Sequence, residues 1–152
     1  GEDMALISEA GLPAVADPGA NLVDLAHRHD IEVIPFVGPS SLMMALMSSG
    51  MNGQSFAFNG YLPVKPHERK AKIKELEKRS RNGKQSQIFI ETPYRNDAML
   101  ADILEVCEAS TRVCVAADIT LPSAYIKTRR VQDWRQNRVT IGKRPCVFIL
   151  MA

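Results

Sequence analysis

Two segments of the chain combine glycine and proline where a parallel-sheet protein can bind a ligand. Residues 8–19 (Ser-Glu-Ala-Gly-Leu-Pro-Ala-Val-Ala-Asp-Pro-Gly) and residues 37–41 (Val-Gly-Pro-Ser-Ser) each follow an apolar run and precede a helical pattern. Loops of this kind lie at the carboxyl edge of a parallel sheet, where ligands of open α/β sheets bind. Glycine lets the backbone approach a ligand, and free N–H groups at a helix start attract polar or anionic groups. Ordinary βα turns share this composition, and neither segment is a Walker A or GxGxxG loop.

The elements that must position these loops follow from periodicity. Short apolar runs alternate with helical patterns along the chain, which predicts an α/β fold with a largely parallel sheet. The first helix should take Asp17 as its N-cap, because Pro18 suits the first helical position. Strands are predicted over residues 4–7, 31–36, 56–59, 86–91, 112–117, 124–128 and 145–151, and helices over residues 18–29, 41–49, 66–81, from 92 onward and, as a short turn, 131–135.

Charge divides the chain in two. Residues 1–60 contain one Lys or Arg against seven acids, whereas residues 61–84 contain nine basic side chains against three acids. The short polar segment 51–55, which contains a glycine, lies where the balance changes. We therefore predict two domains, residues 1–54 and residues 55–152.

The first of these domains is small. Two strands and two helices leave both sheet edges open and cannot bury parallel strands on both faces. We expect strands preceding residue 1, or another chain, to complete the sheet. Residues 1–152 by themselves should then be inactive, and the apolar segments 4–7 and 42–47 should pair with a second copy in a homodimer.

Several classes of protein have no support in the sequence. No apolar run approaches the roughly 18 to 20 residues that cross a bilayer, and no basic start precedes an apolar core, so we expect a cytoplasmic protein without contact to a membrane. Three cysteines, Cys107, Cys114 and Cys146, lie in apolar runs without CxxC spacing. We expect neither a disulfide nor a zinc or other metal site.

The basic segment has two interpretations. Its exposed cations could contact RNA phosphates, or they could simply form a solvated helix face. The candidate RNA-binding residues are Lys65, Arg69, Lys70, Lys74 and Lys78, together with Arg95 further along the chain.

Four segments are similar to a known family. Residues 7–19 (Ile-Ser-Glu-Ala-Gly-Leu-Pro-Ala-Val-Ala-Asp-Pro-Gly) resemble the signature ISDAGTPLISDPG of the tetrapyrrole methylase superfamily, in its small-subunit ribosomal RNA methyltransferase I branch. Residues 35–41, 58–63 and 88–95 match the second cofactor loop, the F-x-G-F-L-P segment and the IFYESPHR segment of that branch, in the same order. Together the matches span nearly the whole chain.

The resemblance implies a dimeric S-adenosyl-L-methionine-dependent methyltransferase with the cofactor between two domains. The chain would hold the C-terminal half of the parallel-sheet cofactor domain, followed by a complete mixed-sheet α/β domain. Carried over by motif, the cofactor contacts are Ala10, Gly11, Leu12, Pro13, Ser40, Ser41, Glu91 and Ala117.

The acceptor of the methyl group is less constrained than the cofactor. Residues 116–124 replace the ARELTK segment of the ribosomal RNA members, and Leu12 stands where the family has Thr or Asp. The first hypothesis is ribose 2'-O-methylation of small-subunit ribosomal RNA, with the small ribosomal subunit as partner. The alternatives are a tetrapyrrole or other small acceptor and a non-catalytic RNA-binding relative.

A ribose hydroxyl must lose its proton during the transfer. A carboxylate close to the acceptor could remove it, and the candidates are Glu91, Asp118 and Glu9. Each could equally be a surface carboxylate or a loop cap.

Overall fold

A computed structural model describes residues 2–152 and divides the chain into two compact units. The first unit ends at Ser41, and the second runs from Leu42 to Ala152. The second unit therefore begins earlier than the predicted domain border near residue 54. The assignment of residues 1–54 to one domain stays a prediction.

The first unit contains one helix, α1 (Ala20–Arg28), among its described residues. Gly19 precedes it as the N-cap with φ 140°, so the prediction of Asp17 as the cap is wrong. A Cβ at Gly19 would lie 2.5 Å from Leu6 Cδ2. The helix starts where only glycine allows this close approach and this backbone conformation.

The strands predicted over residues 4–7 and 31–36 do not form. Neither segment makes the ladder hydrogen bonds of a sheet, and Met4 and Ile7 expose 78% and 86% of their surface. A run of apolar residues becomes a strand only when a neighbouring strand accepts its backbone hydrogen bonds. The described residues of the first unit offer no such neighbour.

The second unit contains a five-stranded sheet and four helices. In chain order its elements are α2 (Ser41–Ser49, whose first residue belongs to the first unit), β1 (Phe56–Tyr61), α3 (Pro66–Gly83), β2 (Ser86–Glu91), a 3-10 turn (Pro93–Arg95), α4 (Asn96–Val106), β3 (Arg112–Ala117), β4 (Tyr125–Arg130), α5 (Val131–Gln136) and β5 (Cys146–Met151). Every strand and helix predicted after residue 40 is present, with ends that differ by a few residues.

The sheet is mixed, as the family resemblance implies for the second domain, and not largely parallel, as periodicity predicts. Its strand order is β1-β2-β5-β3-β4, in which β1 and β2 pair in parallel. β5 runs antiparallel to both β2 and β3, and β4 runs antiparallel to β3. The connection over residues 118–124 is too short for a parallel crossover, so β4 must fold back on β3. The carboxyl ends of β2 and β3 consequently share one sheet edge with the amino ends of β4 and β5.

Helices cover both faces of the sheet. On one face, α3, α4 and α5 pack on strand residues that include Phe89 and Phe148, whose rings stack with centroids 5.7 Å apart. On the other face, Leu42, Ala45 and Leu46 of α2 pack against Ile88 and its neighbours. Leu42 and Leu46 are thus buried within the unit, so the expectation that the apolar face of segment 42–47 is exposed in a single chain is wrong for these two residues.

Two further findings concern the class of protein. Among residues 2–152, no helix combines the length and the apolar character needed to cross a bilayer. All three cysteines are free thiols buried in the second unit. Burial raises the pKa of each thiol, to about 12 for Cys146.

Candidate functional site

Polar side chains of the second unit gather at the sheet edge where β2 and β3 end. Glu91 is the last residue of β2, Asp118 follows β3, Tyr125 begins β4, and Arg144 lies just before β5. Because β2 and β3 both run antiparallel to β5, these four positions lie at the same edge. The topology therefore brings together two of the three predicted catalytic carboxylates, Glu91 and Asp118.

Glu91 is anchored through one carboxylate oxygen. Its Oε1 accepts hydrogen bonds from the Thr92 backbone N–H at 2.6 Å and from Arg95 Nη2 and Nε at 2.6 and 3.1 Å. This hydrogen bonding raises the pKa of the Arg95 guanidinium. The other oxygen, Oε2, is buried and has no hydrogen-bond partner among the described residues. A buried carboxylate oxygen without a partner is uncommon, so Oε2 is a candidate acceptor for a ligand.

Asp118 is buried in a left-handed backbone conformation with φ 52°. Its Oδ2 accepts a hydrogen bond from Ser123 Oγ at 2.9 Å, and its N–H donates to the Pro145 carbonyl at 3.0 Å. Arg144 Nε lies 4.0 Å from Oδ2. Ser123 is exposed, so the carboxylate is connected to solvent through a hydroxyl group.

A strap over residues 141–144 holds Arg144 beside this edge. Asn96 Nδ2 donates to the Gly142 and Arg144 carbonyls at 3.0 and 2.7 Å, and Asp97 accepts from the Ile141 and Gly142 N–H groups at 2.7 and 3.2 Å. Asn96 and Asp97 are not among the residues that the sequence predicts for the site. The only signal was a polar pair at a helix start, which does not reveal a partner more than forty residues away.

Arg144 is also oriented by its own neighbours. Its Nε donates to the Ile141 carbonyl at 2.6 Å, and its guanidinium carbon lies 5.8 Å from the centre of the Tyr125 ring. A cation at this distance from an aromatic face is attracted to it. The strap and the ring therefore fix a positive charge close to Asp118.

The two predicted cofactor loops lie side by side in the first unit. A Cβ at Gly38 would come within 3.1 Å of Leu12 Cδ2, which places the second loop against the first. Ser8 Oγ donates to the Ala10 carbonyl at 2.9 Å, and Gly11 adopts φ 82° with open space around its Cα. The first loop thus presents exposed backbone at Ala10 and Gly11.

The remaining predicted residues of the first unit differ in exposure. Ser40 is buried, whereas Glu9 and Ser41 are exposed, and Leu12 and Pro13 are half-buried. Ala117 belongs to the second unit, where it is fully buried at the end of β3. The role of every one of these residues stays a prediction.

The structure separates the predicted RNA-binding residues into two groups. Arg69 is buried beside Asp102, Lys70 binds Glu105 at 2.8 Å, Lys65 lies 3.3 Å from Glu68, and Arg95 binds Glu91. The hydrogen bond to Glu105 raises the pKa of Lys70. Lys74 and Lys78 are exposed, without an ion pair in the described part of the chain. Because Arg69 is buried and its charge is paired with Asp102, a phosphate cannot reach it. The prediction of Arg69 as an RNA-binding residue is therefore corrected.

Comparison with known proteins gives related sequences, although no family model matches the chain. The chain is 38% identical over 120 residues to the ribosomal RNA small subunit methyltransferase I of Vibrio cholerae, covering 79% of this chain and 40% of that protein. Identity to the protein of the same name from Pseudomonas aeruginosa is 31% over 153 residues, covering 99% of this chain and 53% of that one. The chain spans about half the length of the curated relatives it matches.

Solved structures give the fold. The methyltransferase CobJ superposes with a TM-score of 0.59 and 20% identity, over 93% of this chain and 61% of that one. Uroporphyrin-III C-methyl transferase from Thermus thermophilus, complexed with S-adenyl homocysteine, superposes with a TM-score of 0.52 and 15% identity, over 93% and 62% of the two chains. Sequence relatives and fold together show that the chain belongs to the tetrapyrrole methylase superfamily, in the branch of the ribosomal RNA small-subunit methyltransferase I proteins.

Proposed function

We propose that the chain is part of an S-adenosylmethionine-dependent methyltransferase that modifies small-subunit ribosomal RNA, with a ribose 2'-hydroxyl as acceptor. The observation that carries this proposal is the relationship to the Pseudomonas aeruginosa protein, which extends over 99% of the chain and includes both loops and the sheet edge. The name of that relative supplies the reaction and the substrate.

The residues present fit the cofactor. S-adenosylmethionine carries an ammonium group, ribose hydroxyls and an adenine amino group, all of which donate hydrogen bonds. Glu91 Oε2 is a buried acceptor that lacks a donor among the described residues. In the first unit, the open backbone at Gly11 leaves room for close approach of a ligand. The proposed cofactor-binding residues of the first unit are Ala10, Gly11, Leu12, Pro13, Ser40 and Ser41. Those of the second unit, considered by itself, are Glu91 and Ala117.

Methyl transfer makes limited demands on side chains. When bound, the cofactor supplies a methyl group on a sulfonium, which is already an activated leaving group. The protein aligns the acceptor with that methyl group, and such alignment contributes about 7 to 11 kcal/mol at best. The anchored carboxylate of Glu91 suits this task.

Removal of the acceptor proton is assigned to Asp118. Its carboxylate accepts a hydrogen bond only from Ser123 among the described side chains, and that hydroxyl group is exposed. A proton taken up by Asp118 can therefore pass toward solvent. Glu91 Oε1 already accepts four hydrogen bonds from Thr92 and Arg95, which suits an orienting role.

The test is transfer of tritiated methyl groups by the complete gene product. Undermodified small ribosomal subunits should become labelled and a tetrapyrrole precursor should not. Asp118→Asn should lower the rate while leaving the affinity for S-adenosylhomocysteine unchanged. Labelling of the tetrapyrrole alone would move the substrate to the small-acceptor alternative, and absence of cofactor binding would favour a non-catalytic RNA-binding relative.

We also infer a cytoplasmic homodimer. Ribosomal RNA modification requires access to ribosomal subunits, which supports the location. On the sheet face that α2 covers, Met47 and Met43 of that helix are 83% and 37% exposed, and Phe56 and Phe58 of β1 are 40% and 36% exposed. A group of exposed apolar side chains such as this favours an interface between copies.

A further inference from the structure

The basic charge of α3 is mostly compensated within the protein. Five of its seven Lys and Arg side chains lie within 2.9 Å of a carboxylate. These carboxylates belong to α3 itself, to α4 or to Glu108, which lies just after α4. Ion pairs of this kind reduce the positive potential that a polyanion would meet. Only Lys74 and Lys78 of this helix lack such a partner in the described part of the chain.

A second basic stretch is not compensated in this way. Residues 125–144 contain seven basic side chains and a single acid, Asp133. Of the seven, only Arg144 has a carboxylate within 4.0 Å among residues 2–152. Lys127 and Arg130 are exposed, and their side chains make no hydrogen bond to any of the described residues. Their full charge therefore faces solvent.

These cations lie along a free edge of the sheet. β4 is the outermost strand of the sheet, and among residues 2–152 it pairs with β3 alone. An unpaired strand edge presents backbone N–H groups, which can donate hydrogen bonds to phosphate oxygens. Lys127 and Arg130 extend from opposite faces of β4, so their long side chains flank this edge.

Arg129 is held in place on the same strand. Its guanidinium carbon lies 5.0 Å from the centre of the Trp134 ring, and its Nη1 donates to the Asn137 carbonyl at 3.3 Å. Trp134 is fully buried and donates through Nε1 to the Val113 carbonyl at 2.9 Å. An arginine fixed in this way loses little side-chain entropy when it binds an anion.

Arg130 also stands directly opposite another cation. It pairs in register with Arg112 of β3, whose guanidinium donates to the Gly50 carbonyl and to Met151 Sδ of β5, both at 3.2 Å. Neither arginine has a carboxylate within ion-pair distance among the described residues. Like charges directly opposite each other on paired strands destabilise the sheet. A bound anion would remove this repulsion.

We propose that Lys127, Arg129 and Arg130 form a β4-edge surface that binds the phosphate backbone of the RNA substrate. This assignment rests on the proposed function for the identity of the polyanion. It replaces α3 as the main phosphate-binding element, because α3 uses most of its charge in internal ion pairs while the β4-edge surface does not.

The test compares two charge reversals of equal size in the full chain. Lys127→Glu/Arg130→Glu changes the β4-edge surface, and Lys74→Glu/Lys78→Glu is the matched control on α3. Affinity for a labelled small-subunit ribosomal RNA fragment is measured by fluorescence anisotropy over a range of salt concentrations. Losing two phosphate contacts to single-stranded RNA should reduce the salt slope by about 1.4 and the affinity by about 25-fold at 0.1 M salt.

The control and the outcomes separate this inference from the proposed function. Both variants should bind S-adenosylhomocysteine in a calorimeter as the wild type does, which excludes loss of folding. The milder variant Lys127→Gln/Arg130→Gln should reduce the salt dependence of RNA affinity by a smaller amount. Equal or larger loss in the α3 variant, or an unchanged slope in the β4 variant, would overturn the inference. If the salt slope of the β4 variant is unchanged while the protein still methylates RNA, the proposed function is kept and the β4-edge inference is rejected. RNA binding through β4 without methyl transfer would instead keep the inference and remove the proposed function.

Discussion

Arg69 and Asp102 form a buried ion pair that joins α3 to α4, with Arg69 Nη2 and Asp102 Oδ2 2.6 Å apart. Arg69 Nε donates to the same oxygen at 2.6 Å, and Nη1 donates to the Val64 carbonyl at 3.0 Å. Only 5% of the Arg69 side chain and 11% of the Asp102 side chain are exposed. The arginine therefore fixes the first turn of α3 against α4.

Asp102→Ala should destabilise the fold strongly. It leaves the Arg69 guanidinium buried without its anion, and breaking a buried pair from one side costs about 3 to 5 kcal/mol. The free energy of unfolding from urea titration measures the effect. Arg69→Met/Asp102→Leu should recover most of the loss, because no charge then remains buried. A loss below about 1 kcal/mol for Asp102→Ala would contradict the interpretation of the pair as structural.

The second unit could be predicted from the sequence because its signals are local. Ser41–Ser49, Ser86–Glu91 and Arg112–Ala117 were all predicted with their observed bounds. Periodicity wrongly predicts a largely parallel sheet, since strand direction depends on connection lengths and pairing partners. The mixed sheet that the family resemblance implies for the second domain is confirmed. The prediction of strands over residues 4–7 and 31–36 is wrong for a related reason. Apolar composition does not show whether a neighbouring strand is present to form the hydrogen bonds.

The candidate site was only partly predictable. Motif resemblance selected Glu91 and the two loops, but it could not show that Glu91 Oε2 lacks a partner. Composition selected the basic residues of α3 without revealing their internal carboxylates, as Arg69 illustrates. Pairings over long sequence distances, such as Asn96 with the strap, exist only in the folded chain.

Glu91→Gln should weaken binding of S-adenosylhomocysteine. The substitution keeps the shape of the side chain and removes the charge that strengthens a hydrogen bond to a ligand donor. Such bonds contribute about 1.5 to 3 kcal/mol, so affinity in a calorimeter should fall at least about tenfold. Glu105→Gln, at an exposed carboxylate on α4, is the control and should bind normally. Unchanged affinity for Glu91→Gln, with a lowered melting temperature, would show that Glu91 only anchors Arg95.

Stability should fall in alkaline solution, partly through Cys146. Burial raises the pKa of this thiol to about 12, whereas an unfolded thiol has a pKa of about 8.5. As pH rises above about 8.5, the unfolded state releases this proton and the folded state does not, so the free energy of unfolding decreases until about pH 12. Cys146 contributes fully to the free energy of unfolding below the pKa of the unfolded thiol. Above that pH the contribution falls by about 1.4 kcal/mol per pH unit.

The variant Cys146→Ala isolates this effect. It should be less stable near neutral pH because it leaves a small cavity, yet its stability should fall less steeply between about pH 9 and pH 11, by about 1.4 kcal/mol per unit. Urea unfolding at several pH values gives both quantities. Cys107 and Cys114, whose pKa values burial also raises, remain in the variant and account for part of the residual slope. Parallel pH profiles for wild type and variant would refute the assignment.

Met47→Asp should dissociate the proposed homodimer. Met47 lies on α2 with 83% of its surface exposed, so an aspartate there leaves the fold of the single chain intact. A charge placed inside an apolar interface loses its hydration without gaining a partner, which disfavours association by several kcal/mol. Val64→Asp is the matched control, since Val64 is also an exposed apolar residue but lies on the loop before α3.

Light scattering over a range of concentrations should show a dimer for the wild type and for Val64→Asp, and a monomer for Met47→Asp. A wild-type chain that stays monomeric at every concentration, or two variants that both remain dimeric, would remove α2 from the interface.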